Sequence, residues 1–400
     1  MNPLFNHAIE VIETIEQAGY QAYIVGGAVR DYLLKRSVND IDLATSAKPA
    51  QIQALFESVI PVGIEHGTVL VRYKGYSFEV TTFRTESGYS DYRHPDHVAF
   101  VNRIEDDLAR RDFTCNAIAM TKQLAIIDPY RGLDALAKGY LRAVGNPSER
   151  FIEDPLRMLR AFRFVSQLQF TIEPETKLAI HHNIKLIERV AIERITVELN
   201  KLFKGPNYQL AVQYSSQATL FNYLPIFKED NSYTDLLVKL KSSLPKLIFV
   251  FVYLVDQMNR EITLKQWAKA FHLTNKDVNE GETVLQAVLL YRKVKLSNWL
   301  VYQLPEKLDQ VFCLLLLAIE TIVVEVSELQ LRRQLLPINN RSELSLNGSD
   351  LIKLYPDRSK GKWLSNYLAE IEYLVVEGTI TNNYQEIKEW ILTCHPPEKS

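Results

Sequence analysis

The sequence predicts an α+β fold: a small N-terminal head built on a mixed sheet, followed by a long all-helical remainder. Three observations carry this. "HGTVLVRYKGYSFEVTTFR" alternates apolar and polar residues around Lys74-Gly75, the pattern of an antiparallel hairpin. "AYIV", Gly26-Gly27 and "AVRDYLLKR" read as strand, turn and helix. Beyond about residue 146 the strand signals fade and helical periodicity runs onward.

Taken in order, "MNPLFNHAIEVIETIEQAGY" is amphipathic and acidic, a folded first helix rather than a signal peptide. After the turn and its helix, "DIDLAT" is a second strand, and the hairpin follows. "ESGYSDYRHPDH" lacks periodicity and carries Gly, Ser, Asp and Pro, so it reads as a loop. "AIAM" and "AIIDPY" supply a last strand pair. "NPSERF" offers Asn and Pro to start a helix. The helical remainder is interrupted at "KGPN", "YLPIFKEDNS" and "LSLNGSD", with no repeat at a fixed period. "LPKLIFVFVYLV" and "VFCLLLLAIETIVV" are broken by charge or too short to span a bilayer, which predicts buried helices and no membrane partner.

A chain of 400 residues has room for about two to four domains. Cys115, Cys313 and Cys394 lie far apart with no zinc-type spacing. That argues against disulfides and a structural metal, and for a reducing, cytoplasmic compartment. The three cysteines read as core fillers, and Trp267 and Trp299 as packing residues. Net charge is only −2, so any nucleic-acid contact must come from local basic patches. The sequence also allows a homodimer.

The chemistry concentrates in a few segments. Gly26-Gly27 lets backbone N–H groups approach an anion, and Arg30 follows one turn into the helix. Asp40 and Asp42 are two apart in a strand, so both carboxylates share a face while Ile41 points to the core. Paired carboxylates hold Mg²⁺ through oxygen and leave positions for phosphates. A nucleoside triphosphate carried on magnesium satisfies both halves. Glu79 is a candidate third carboxylate, although strand alternation alone also places an exposed Glu there.

In "RRDFTCNAIAM", Asp112 and Asn116 are four apart and would share a helix face, with Arg110 and Arg111 at the entry. Asn116 suits a ribose hydroxyl and Arg111 a triphosphate oxygen; an ordinary charged helix start reads equally well. In "ERFIEDPLRMLRAFRFVSQLQF", Pro155 suits a first helical position and Asp154 an N-cap. Capping leaves Arg157, Arg160 and Arg163 unexplained. They recur every three residues, interleaved with Leu, Met and Phe, as on a surface for anionic ligands. Asp154 accepts and Arg157 donates hydrogen bonds. Cytosine and adenine each present an amino donor beside a ring-nitrogen acceptor, whereas uracil and guanine present the reverse. Such a pair would take C and A and reject U and G.

"GGAVRD", "DIDLAT", "RRDFTCNAIAM", "DPYRGLDAL", "EDPLRMLRAFRF" and "ERITVELNKLF", in this order, resemble the class II tRNA nucleotidyltransferases, the CCA-adding enzymes of the DNA polymerase beta superfamily. The motifs cover roughly the first 200 residues. The resemblance implies a nucleotidyltransferase head over 1–145, a helical neck over 146–215, a body over 216–300 and a tail over 301–400. The body and tail would hold tRNA. Asp40 and Asp42 would be the catalytic, metal-binding carboxylates for Mg²⁺. Gly27, Arg30 and Arg111 would contact the nucleotide, and Asp154 and Arg157 would choose incoming CTP and ATP, with Arg160 and Arg163 nearby. "DPYRGLDAL" would link head to neck as a hinge.

Rivals are a CC-adding enzyme, an A-adding enzyme, a poly(A) polymerase and a non-catalytic helical RNA-binding module. CC-adding members of the family have a shortened loop after the hairpin, whereas "RTESGYSDYRHPDHVAF" is full length. "QEIKEW" and "CHPPEKS" lack the basic tail of the polymerases. His181-His182 lacks the aspartate that an HD-type phosphohydrolase needs. The intact Asp40–Asp42 and Asp154–Arg157 pairs argue against a degenerate head.

Overall fold

An amphipathic helix, α1 (Pro3–Gln17), opens the computed structural model and buries Leu4, Phe5, Ala8, Val11, Ile12 and Ile15. That spacing is one face of a 3.6-residue period. The structure describes residues 3–258 and 262–394. The residues beyond Cys394 in "CHPPEKS" lie outside that range. Two units are distinguished, Met1–Val238 and Lys239–Ser400.

In the first unit, β1 (Ala22–Val25), α2 (Gly27–Leu33) and β2 (Asp42–Thr45) follow as the pattern predicts. Then come α3 (Pro49–Leu55), β3 (Val59–Gly63) and the hairpin of β4 (Thr68–Tyr73) with β5 (Tyr76–Thr82). The turn falls at Lys74-Gly75, both at positive φ. β6 (Arg84–Ser87) and β7 (His97–Phe100) form a small separate hairpin, and α4 (Ile104–Ala109) leads to β8 (Ala119–Met120) and β9 (Ile126–Ile127). The main sheet runs β3-β4-β5-β2-β1-β8-β9. Only the β2–β5 pair is parallel, which makes the sheet mixed. That pairing sets Asp42 directly beside Glu79.

The expected loop "ESGYSDYRHPDH" is shorter than its composition suggests, because Ser87 pairs with His97. The strand was hidden by Glu86, a carboxylate that is buried because it is paired. Its Oε1 accepts from Arg84 Nε at 2.8 Å and Arg110 Nη1 at 3.0 Å, and its Oε2 from Tyr89 at 2.8 Å. β3 and α3 were not anticipated either.

Helices then take over: α5 (Gly132–Lys138), α6 (Pro147–Glu153), α7 (Leu156–Leu168), α8 (Pro174–Asn183), α9 (Ile192–Lys204) and α10 (Tyr208–Gln217). Asn146 caps α6 by accepting from Ser148 N at 3.0 Å, as "NPSERF" predicts. Within "DPYRGLDAL", Asp128 accepts from Gly132 N at 2.6 Å and Leu133 N at 2.8 Å. A Cβ on Gly132 would lie 2.3 Å from Thr114 O, so no larger residue fits.

The second unit is helical. Leu247–Met258, Leu264–Ala270, Asn275–Val294 and Asp309–Glu320 pack together, with every residue from Leu247 to Leu254 buried. Trp267 is a core residue stacked on Phe251 at 4.6 Å. A separate cluster joins Leu351, Ile371, Val375, Ile387 and Ile391. Among the described residues, no helix is long and apolar enough to cross a membrane. Cys115 and Cys313 are buried as expected, but Cys394 is exposed. It lies on the outer face of the last turn of a helix whose buried residues are Ile387 and Ile391.

Candidate active site

The strand–turn–helix at Gly26 is the natural starting point. Gly26 has φ 72° and ψ −134°, a conformation that side-chain-bearing residues avoid. A Cβ there would also come within 3.0 Å of Arg111 Nη1. The turn therefore needs glycine for its backbone and for the close approach of an arginine.

Ile41 is buried between the exposed Asp40 and Asp42, as the alternation predicts, although the strand proper starts only at Asp42. Crowding by the surrounding protein pushes the Asp42 carboxyl up to about 6; repulsion from Glu79 and Asp40 adds to this and Arg111 opposes it. Two further carboxylates thus act on Asp42 through charge. Among the described residues, no three His, Cys, Asp or Glu side chains are gathered in metal-holding geometry.

The segment from Arg110 to Asn116 corrects one expectation. Asp112 and Asn116 do not share a helix: α4 stops at Ala109, and only a short 3₁₀ turn, Thr114–Asn116, follows. The backbone instead pairs with a distant segment. Thr114 N donates to Arg142 O at 2.9 Å, and Val144 N to Asp112 O at 3.1 Å. The two side chains still meet, Asn116 Nδ2 donating to Asp112 Oδ1 at 3.1 Å.

Asp112 is the buried hub of a chain of bonds. It accepts from Phe113 N at 2.8 Å, and its Oδ2 pairs with Arg160 Nε at 2.8 Å and Nη2 at 2.6 Å. Burial opposes its charge, but Arg160 and the Asn116 bond outweigh that and hold the carboxyl far below its ordinary range. Asn116 Oδ1 in turn accepts from Arg30 Nη1 at 2.7 Å, while Asp31 grips Arg30 through Nε and Nη2 at 3.0 and 2.8 Å. One rigid network therefore spans α2, the 3₁₀ turn and α7.

On α7, Arg157, Arg160 and Arg163 line one wall, as their spacing predicts. Arg163 Nε approaches Glu198 Oε2 to 2.6 Å, off hydrogen-bond alignment, and Nη1 donates to Gln167 at 2.9 Å. Burial lowers the Arg163 guanidinium to about 10, so it stays charged at neutral pH.

Arg157 N donates to Asp154 O at 3.0 Å, but the two side chains are not bonded to each other. Asp154 Oδ1 accepts from Leu156 N at 3.2 Å, the capping contact, while Oδ2 accepts from Arg194 Nη2 at 2.8 Å. Arg157 donates to Glu153 at 2.8 Å and to the Arg110 carbonyl at 3.0 Å. Capping and a place in the wall are both true of Asp154.

These groups face one hollow of about 490 Å³, lined by Gly26, Gly27, Arg30, Asp42, Arg110, Arg111, Asp112, Asn116, Asp154, Arg157, Arg160, Arg163, Phe164, Arg194 and Lys201. Asp40 is absent from the lining. Arg194 and Lys201 were missed by sequence reasoning, although "ERITVELNKLF" was singled out as a motif. Another hollow of similar size, lined largely by Phe162, Ile172, Leu178 and Tyr214, has Lys177 and His181 in its wall but no arginine and no carboxylate. An arginine-rich wall with glycine N–H groups and a strained carboxylate at one end suits a polyanion that carries a divalent cation.

Comparison with known proteins gives three matched families. Residues 22–142 match the poly(A) polymerase head domain, 169–230 a probable RNA- and SrmB-binding site of polymerase A, and 244–391 a putative domain 2 of tRNA nucleotidyltransferase. The CCA-adding enzyme of Oceanobacillus iheyensis is 42% identical over 98% of both chains. That of Anoxybacillus flavithermus is 41% identical, again over 98% of both. The crystal structure of the Bacillus stearothermophilus CCA-adding enzyme in complex with CTP superposes with a TM-score of 0.87, at 35% identity and 98% coverage of each chain.

Proposed function

Because this chain belongs to the class II CCA-adding tRNA nucleotidyltransferases, we propose that the arginine-walled hollow is where it adds C, C and A to the tRNA 3′ end from CTP and ATP. The observation that carries the assignment is the convergence of Gly27, Asp42, Arg111, Asp154 and Arg157, from four separate segments, on one hollow. A fold-only role would not require that convergence.

The donor chemistry fits Mg²⁺. Asp42 is held at about 6 by crowding and by two like charges, an arrangement that a divalent cation relieves. Asp40 and Asp42 are the proposed ligands, with Glu79 in register beside Asp42. When bound, the ion supplies neutralisation of phosphate charge and a lowered pKa for the attacking 3′-hydroxyl.

The remaining work falls to the chain itself. The Gly27 backbone and Arg111 receive the triphosphate at the end nearest Asp42. Arg30, fixed by Asp31 and Asn116, and Arg160, fixed by Asp112, hold the nucleotide along the wall at no cost in reordering. Arg163 adds charge beside them. Asp154 accepts the amino group of C or A and Arg157 donates to the ring nitrogen, which leaves U and G with mismatched partners. The helical segments 146–215, 216–300 and 301–400 act as neck, body and tail, the last two holding tRNA. "DPYRGLDAL" serves as the hinge between head and neck. The proposed compartment is the cytoplasm, in keeping with three free thiols. No residue is assigned to a homodimer interface.

The test is incorporation of labelled CTP and ATP into tRNA lacking its 3′ end. Extension by CCA supports the reading; a product ending at CC, a single A on CC-ended tRNA only, or a long A tract selects another activity.

A further inference from the structure

We propose that Phe164 is a positioning residue for nucleotide binding, its ring holding the guanidinium groups of Arg30, Arg160 and Arg163 together in the wall of the hollow. The proposal rests on the reading of that hollow as the nucleotide site.

Three guanidinium carbons lie over this one ring: Arg163 at 3.8 Å from its centroid, Arg30 at 5.2 Å and Arg160 at 5.6 Å. All three are within cation–π range. Each arginine also has its own acid, on three different elements: Asp31 on α2, Asp112 before the 3₁₀ turn and Glu198 on α9. Those acids neutralise the arginines one at a time. Phe164 is the neighbour that all three share.

Like charges this close repel, and Arg160 and Arg30 both act to weaken the charge on Arg163. The electron-rich face of a benzene ring offsets that repulsion without supplying an anion that would compete with phosphate. Phe164 is itself 3% exposed, and Phe113 packs on it at 84° with centroids 5.7 Å apart, which fixes the ring plane. A leucine would fill the volume and offer no such face.

Progressively fluorinated phenylalanines at position 164 keep the ring's shape while draining its π electrons. With tRNA left out, so that no chemistry occurs, equilibrium binding of CTP and ATP is measured for this series, for Phe164→Leu and for Arg160→Ala. The expected result is a stepwise loss reaching about tenfold at the most fluorinated ring, with the melting temperature little changed. In turnover with tRNA, KM should rise by more than kcat falls, and Phe164→Trp should retain more binding than Phe164→Leu. If Arg160→Ala weakens binding while the fluorinated series does not, Phe164 is only a packing residue and this proposal fails, with the site reading intact. If Arg160→Ala leaves binding unchanged as well, the site reading fails too.

Discussion

Arg194 donates through Nη2 to Asp154 Oδ2 at 2.8 Å, across 40 positions of sequence. Asp154 Oδ1 is meanwhile fixed by Leu156 N at 3.2 Å. Both carboxylate oxygens are thus oriented from outside the nucleotide, and the lone pairs that remain are the ones available to a base. Removing the Arg194 side chain should free the carboxylate to rotate. Arg194→Ala is expected to lower the ratio of kcat/KM for CTP over UTP by about tenfold, in line with the loss of one charged hydrogen bond. Competition between the two nucleotides in a single-addition assay measures this, and an unchanged ratio would remove Arg194 from base selection.

Asp42 makes a prediction about pH. Its pKa in the folded protein is about 6, against 3.8 for the free side chain. The folded state therefore holds this proton more tightly than the unfolded chain. The stability it confers is full below about 3.8 and is lost as pH rises through 6. Without divalent ions, Asp42→Asn should melt above the wild type at pH 8, by about 2 °C after solvent screening. The two curves should converge near pH 4. A wild-type advantage at pH 8 would show that Asp42 is not electrostatically strained.

Asp112 has the opposite sign. Arg160 and Asn116 hold its carboxyl far below the ordinary range, so its contribution is present at neutral pH and disappears as pH falls into the acid range. Asp112→Asn leaves Arg160, whose side chain is 34% exposed, without its acid and should destabilise the first unit by about 1–3 kcal/mol at pH 7. Urea titration of the two proteins checks the value. The gap should narrow toward low pH, and a gap that does not change with pH would refute the charged-pair account.

Much of this was legible in the sequence, wherever structure is dictated locally. The glycine turn, the burial of Ile41 between Asp40 and Asp42 and the three arginines of α7 each follow from short-range pattern, although Asp40 precedes the strand and does not line the hollow with Asp42. What stayed hidden depends on partners far along the chain. The helix expected from Asp112 to Asn116 gives way to backbone pairing with Arg142 and Val144. Glu86 reads as a loop residue until Arg84, Arg110 and Tyr89 cover it. Asp154 and Arg157 look like partners one turn apart, yet each is held by someone else, and Arg194 lies 40 positions away. Local pattern sets the elements; ion pairs across the fold set the site.

The central claim is that the carboxylates beside the glycine turn carry the chemistry while the helices hold tRNA, and it is tested most directly by Asp42→Ala. Single-turnover extension of tRNA lacking its 3′ end should give a product three nucleotides longer with the wild type and CTP plus ATP. The variant should extend it at least about 1,000-fold more slowly while binding the same tRNA with unchanged affinity. Extension by the variant at a rate near that of the wild type would contradict the account.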